Sequence, residues 1–160
     1  MILFYLDASA WVKRYFEELG SELVDEMFVP SNTLSCSPLG FIEVGSAMAR
    51  KRSAGTVTDE EFVAKRSLLV NDWRHFLRIE MTPVVVHRAF DLADAYSLRG
   101  ADSVHLASAL EAKAELRLAA EEFTFVASDA DLVAAARSAG LIAIDPQQMA
   151  GGTGADHLNR

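Results

Sequence analysis

Four acidic residues stand where the chain could carry out chemistry: Asp7, Glu43, Asp102 and Asp129. Asp7 closes the apolar run Ile2–Leu6, and Asp129 directly follows the run Phe123–Ser128. In open parallel sheets, functional sites lie beyond the carboxyl ends of the strands, so both acids are candidates for one shared site. Glu43 lies in Gly40-Phe41-Ile42-Glu43-Val44-Gly45, flanked by bulky apolar residues. An unpaired carboxylate against a core is costly, so such a residue pairs with a cation or points outward. Asp102 follows Arg99-Gly100-Ala101 and leads into an Ala- and Leu-rich helix. Each acid also has a plainer reading. Asp is favoured at helix N-termini, so Asp7, Asp102 and Asp129 could serve only as caps. Glu43 could form a surface ion pair. Brought together, the four would repel and raise one another's pKa, unless a hard cation such as magnesium took their oxygens as ligands.

The elements that must position these acids alternate between apolar runs and helical stretches, which is the signal of an α/β fold. Ile2–Leu6 reads as a first strand, with Ser9 placed to cap a helix through Trp11, Val12 and Tyr15. Gly20 breaks it, and Ser21 starts a short helix with Leu23, Val24 and Met27. Thr33–Ser37 is a second candidate strand. Pro38 opens a helix to about Arg52, ended by Gly55. Thr58 with Glu61 matches a capping box for a helix carrying Phe62, Leu69, Trp73 and Phe76. Arg78–Met81 suggests a short strand. Thr82-Pro83 then begins a helix reaching Gly100, with Val86, Phe90, Ala93 and Tyr96 on one face. Asp102 opens another, to about Leu118. The strand Phe123–Ala127, a helix from Ala130 to Ala139 and a last strand Leu141–Ile144 complete the pattern. The expected architecture is a three-layer α/β domain over residues 1–145, with short, buried, mostly parallel strands. Residues 146–160, with the run Gly151-Gly152-Thr153-Gly154, read as a flexible tail.

The whole chain sets bounds on function. Its 160 residues suit one domain. No apolar run is long enough for a membrane span, and the N-terminal sequence lacks a basic leader, so a cytoplasmic location is expected. The single cysteine, Cys36, fits a reducing compartment. With 15 basic against 23 acidic residues, a net charge of −8 argues against generic binding to phosphate backbones. Nucleic acid could still be held by a local basic rim (Arg50, Lys51 and Arg52, with Arg14 and Arg99) or through a divalent metal.

Four local patterns resemble the PIN-domain ribonucleases, especially the VapC-type toxins of type II toxin–antitoxin pairs. They are Tyr5-Leu6-Asp7-Ala8-Ser9-Ala10 with Val12-Lys13-Arg14-Tyr15, then Phe41-Ile42-Glu43-Val44, then Ala101-Asp102-Ser103-Val104-His105-Leu106-Ala107-Ser108-Ala109, and Phe125-Val126-Ala127-Ser128-Asp129-Ala130-Asp131-Leu132. Their order and spacing match over about residues 1–145. The resemblance implies that Asp7, Glu43, Asp102 and Asp129 hold Mg2+ (Mn2+ as a possible substitute) and that a metal-activated water cleaves RNA. It also implies a VapB-like antitoxin and a homodimer. Ser9 and Asp131 are candidate supporting residues, while His105 on its Ala/Leu-rich helix reads as structural or as a neighbour of the ligands. Trp11 and Trp73 read as core or partner contacts. Two rival readings are a haloacid-dehalogenase-like phosphohydrolase, which would want a second Asp where Ser9 stands, and a catalytically silent RNA-binding scaffold, which should have lost acids.

Overall fold

The computed structural model describes residues 2–152. Five parallel strands form one sheet: β1 (Leu3–Leu6), β2 (Thr33–Cys36), β3 (Leu77–Arg78), β4 (Phe123–Val126) and β5 (Ile142–Ile144), in the order β3-β2-β1-β4-β5. Around it lie α1 (Ala8–Trp11), α2 (Ser21–Met27), α3 (Pro38–Ser53), α4 (Asp59–Trp73), α5 (Pro83–Tyr96), α6 (Gly100–Glu115), α7 (Ala130–Ser138) and α8 (Pro146–Gly152). This is the three-layer α/β arrangement expected from the sequence. A single turn of 3-10 helix, Val12–Arg14, continues α1.

Strand parity divides the interior. Leu3 and Tyr5 of β1, with Phe123 and Phe125 of β4, face one side and pack on Leu106, Ala109 and Leu110 of α6 and Leu132 and Ala136 of α7. Leu6 and Val126 face the other, against Trp11, Val44 and Met48, Phe62, Leu69 and Trp73. The strands are buried on both faces and so read as continuous apolar runs. Extending β1 and β4 by the same parity carries Asp7 and Asp129 toward the α6 side.

Strand order reverses at β1: the chain first builds outward to β2 and β3, then returns to add β4 on the other edge of β1. The register pairs Leu6 with Val126, and Asp7 N–H donates to Val126 C=O at 2.9 Å. The carboxyl ends of β1 and β4 therefore finish level, forming the crevice that a switch point creates.

Several local expectations need correction. Asp7, not Ser9, is the N-cap of the first helix. The α4 helix ends at Trp73, leaving Phe76 buried in the turn beyond it, and the third strand is Leu77–Arg78 rather than Arg78–Met81. In α5, which ends at Tyr96, the buried face is Val85 and Ala89, while Val86 is 47% and Phe90 78% exposed. The run Val84-Val85-Val86 has no helical phase of its own, and the small Ala89 packs closely with Val85 against Ala107 of α6. The tail also starts with order: Pro146–Gly152 is helical, and Gly20, at φ +93°, packs so closely that a Cβ there would lie 2.6 Å from the Pro146 backbone. The remainder of the expected flexible tail, residues 153–160, lies outside the described residues.

Candidate active site

The switch-point crevice gathers the acids. Asp7 is buried, and each of its oxygens has a separate task. Oδ2 caps α1, accepting from Ser9 N–H at 3.2 Å and from the Ser9 hydroxyl. Oδ1 lies 3.4 Å from His105 Nε2. Asp129 divides its oxygens the same way: Oδ1 caps α7 through Leu132 N–H at 2.9 Å, and Oδ2 accepts from Arg99 at 3.3 Å. Capping and site duty are thus compatible for both residues, one oxygen for each. Ser9 ties the two strand ends together, because its hydroxyl also accepts Ser128 N–H at 2.9 Å.

Asp102 is not a cap. The α6 helix starts at Gly100, and Asp102 sits in its first turn with the carboxylate turned to Arg99 Nε, 3.0 Å away. Arg99, largely exposed, therefore bridges Asp102 and Asp129. Glu43, from α3, brings its Oε2 to 2.6 Å from His105 Nε2. One ligand atom each from Asp7, Glu43 and His105 lies within 4.8 Å of the others, a set able to hold a metal ion. Asp102 and Asp129 fall outside that set and are joined to each other through Arg99.

Electrostatics record the crowding. Burial raises the Asp102 pKa above its ordinary 3.8, Arg99 opposes the rise, and Asp7 and Asp129 add to it. Burial lowers the pKa of His105, while the hydrogen bond to Glu43 and the charge of Asp7 act to raise it. The crevice thus carries more negative charge than its own cations neutralise.

A raised carboxyl pKa means the folded state binds more protons than the unfolded chain between 3.8 and the raised value, so stability falls as pH rises through that window. Asp102→Asn is therefore expected to raise the melting temperature in EDTA at neutral pH. The gain should be complete above the raised value and vanish as pH falls below the unfolded value. Thermal melts across that range check both points; a variant less stable than the parent at neutral pH would contradict them.

The remaining candidates separate. Asp131 is exposed and faces solvent beside Tyr96 and Ser138. Arg14 is paired with Asp25 at 2.9 Å and Asp72 at 3.6 Å and lies over Phe28, beside the segment that enters β2 rather than its carboxyl end. Arg50 donates to Ser46, while Lys51 and Arg52 stack on Phe16 and Phe62. Of the suggested basic rim, Arg99 alone is placed on the acids. Trp11 and Trp73 are core residues, as read. His105 stands beside Glu43 and Asp7, the second of the two places the sequence allowed it; its spacing of three from Asp102 puts both on one face of α6.

Residues 4–137 match the PIN domain family. The chain is also 37% identical over 110 residues, 69% of its own length and 76% of the relative's, to Ribonuclease VapC45 of Mycobacterium tuberculosis. The chain belongs to the PIN-domain family, among the VapC-type ribonucleases. Two solved structures share the fold. VapBC2 of Rickettsia felis, bound to a DNA fragment from its promoter, aligns at a TM-score of 0.61 and 12% identity, covering 90% of this chain and 98% of that one. Mycobacterium tuberculosis VapC20, a sarcin–ricin loop cleaving toxin, aligns at 0.58 and 13%, covering 87% and 96%. Among the described residues, no helix of this VapC-type chain is long and apolar enough to cross a membrane.

Proposed function

We propose that the chain is a divalent-cation-dependent endoribonuclease, the toxin of a VapBC-type pair, with Asp7, Glu43, Asp102 and Asp129 as its metal-binding acids. The observation that carries this reading is the meeting of Asp7 and Glu43 with His105, with Asp102 and Asp129 joined to each other nearby through Arg99, at the carboxyl ends of the central strands. Carboxylate oxygens are the donors that Mg2+ or Mn2+ takes, so the residues fit the ion that the family implies. Bound there, the ion would supply Lewis acidity toward a phosphate and lower the pKa of a water for in-line attack.

The protein's own residues do the rest. Ser9 and Leu132 N–H hold Asp7 and Asp129 by one oxygen each, so the other oxygen is presented without rotational freedom. Arg99, exposed at the rim, is placed to pair with a phosphate once its acids are otherwise neutralised. That gives RNA a local cation in a chain of net charge −8. No Asp stands two residues after Asp7, where a dehalogenase-like phosphohydrolase would need one; Ser9 instead supports Asp7.

Purified protein incubated with mixed single-stranded and structured RNAs tests the reading. Cleavage is expected with Mg2+ or Mn2+, none with EDTA, and none in an Asp7→Asn control. RNA binding without cleavage at any metal concentration would instead support a silent scaffold.

A cytoplasmic VapB-like antitoxin and a second copy of the chain are the partners this reading brings. Phe41, Ile42, Phe62 and Val70 line an apolar groove between α3 and α4, a shape that suits an antitoxin segment. The outer face of α5, with Val84, Val86 and Phe90 exposed, suits self-association. Phe90→Glu is expected to turn a dimer into a monomer by light scattering, with little change in melting temperature. A parent chain that is monomeric at micromolar concentration would remove the dimer.

A further inference from the structure

His105 offers a nitrogen beside two carboxylates, and on distance alone it could be a third metal ligand. The hydrogen-bond inventory behind it argues otherwise. Tyr5 is fully buried, and its hydroxyl oxygen accepts Ser37 N–H at 3.2 Å. Burial raises the Tyr5 pKa far above its ordinary value, so the phenol keeps its proton. Among the described residues, the bond open to that proton is to His105 Nδ1, 3.0 Å away. A neutral imidazole that accepts at Nδ1 must carry its proton on Nε2. That Nε2–H points at Glu43 Oε2, 2.6 Å away, with Asp7 Oδ1 at 3.4 Å. Metal ligation would need the opposite tautomer, leaving the buried Tyr5 proton without its acceptor.

The backbone has been shaped around this arrangement. A Cβ on Gly40 would lie 2.3 Å from Cys36 Sγ and 3.1 Å from His105 Cε1, so α3 approaches β2 and α6 closer than any side chain allows. Glu43 follows three residues later on the same face of α3, which carries its carboxylate onto Nε2.

We propose that His105 is a positioning residue and not a metal ligand: locked by Tyr5 and Ser37, its Nε2–H holds the Glu43 carboxylate, and through it the Asp7 side of the crevice, ready for a divalent cation. The proposal rests on the cation-site reading above. Glu43 is partly exposed on a side chain with three rotors, and a strong bond to one oxygen removes most of that freedom.

Mn2+ alone is the probe, titrated into the full chain and followed by electron paramagnetic resonance of the free ion. His105→Leu is expected to weaken binding by about 10- to 100-fold, as loss of a ligand's hydrogen-bond partner does. His105→Gln, whose amide can still donate to Glu43, is expected to recover most of that loss. Unchanged Mn2+ binding in His105→Leu would overturn the proposal. The unmodified chain gives a second readout that no folding defect can obscure. Long-range proton–nitrogen spectra during a Mg2+ titration at fixed pH should keep Nε2 in its protonated range. Its passage to the unprotonated range would make His105 a ligand and overturn the proposal. A wild-type chain that binds no Mn2+ would instead remove the cation-site reading, and this proposal with it.

Discussion

Asp7→Asn is expected to reduce metal-dependent RNA cleavage by about a thousandfold, equivalent to about 4 kcal/mol of transition-state stabilisation, while leaving the fold in place. Two features make Asp7 the most sensitive of the four acids. Its side chain is the most deeply placed, 5% exposed against 15% for Asp102, 32% for Asp129 and 33% for Glu43. It also stands just beyond the end of the central strand, beside His105 on one side and Ser9 on the other. On the proposed ligand set, removing its charge would weaken the cation site at its most buried carboxylate. Asp129→Asn should cost less, because Asp129 is at the rim and half of its work is capping α7.

The fold should tolerate the change, since Asn caps helices about as well as Asp. The amide oxygen can take the Ser9 N–H and hydroxyl bonds that Oδ2 takes now. A melting temperature within about 4 °C of the parent is expected, the shift that roughly 1 kcal/mol produces at this size. Circular dichroism melts and a quantitative cleavage assay on the same preparation separate the two effects. Undiminished cleavage by a folded Asp7→Asn chain would sink the ligand assignment.

Much of this arrangement could be read from residue order. An apolar run that ends in Asp, followed by a residue able to hold that Asp, occurs at both Asp7 and Asp129, and parallel-sheet topology makes strand ends meet. Glu43 could be singled out because a charged residue between Ile42 and Val44 needs a partner. The sequence could not name that partner, because His105 lies 62 positions away and meets Glu43 only when α3 crosses α6 at Gly40. Nor could it show that Arg99 is placed on the acids while Arg14, Arg50 and Arg52 are engaged elsewhere; every arginine in the sequence looks alike until its neighbours are known. In α5, hydrophobicity favours Phe90 for the interior, yet packing space against α6 selects Ala89. The helix Pro146–Gly152 has no apolar period to announce it, and close approach to Gly20 is a tertiary contact that local pattern cannot carry.

Trp11→Ala is the substitution expected to cost most in stability, about 3–5 kcal/mol, or a fall in melting temperature of roughly 6–20 °C. Trp11 is fully buried and stacks on Phe76 with ring centroids 4.4 Å apart, beside Trp73 at 5.7 Å. Phe41 stacks on Trp73 in turn, so the cluster joins α1, α3 and the end of α4. The indole Nε1–H donates to Tyr15 Oη at 3.0 Å, and Tyr15 donates to Asp72 at 2.9 Å, so the buried Tyr15 hydroxyl loses its donor with the ring. Trp11→Phe should lose only that hydrogen bond and part of the volume, about 1–2 kcal/mol. The consequence reaches the site, because α1 is one turn long and has Asp7 at its start and Trp11 at its end. With the ring removed, α1 loses its largest buried side chain in this cluster, so Mn2+ affinity in Trp11→Ala should fall well before the protein melts. A melt shifted by less than about 2 °C would mean that the aromatic cluster is not what secures α1.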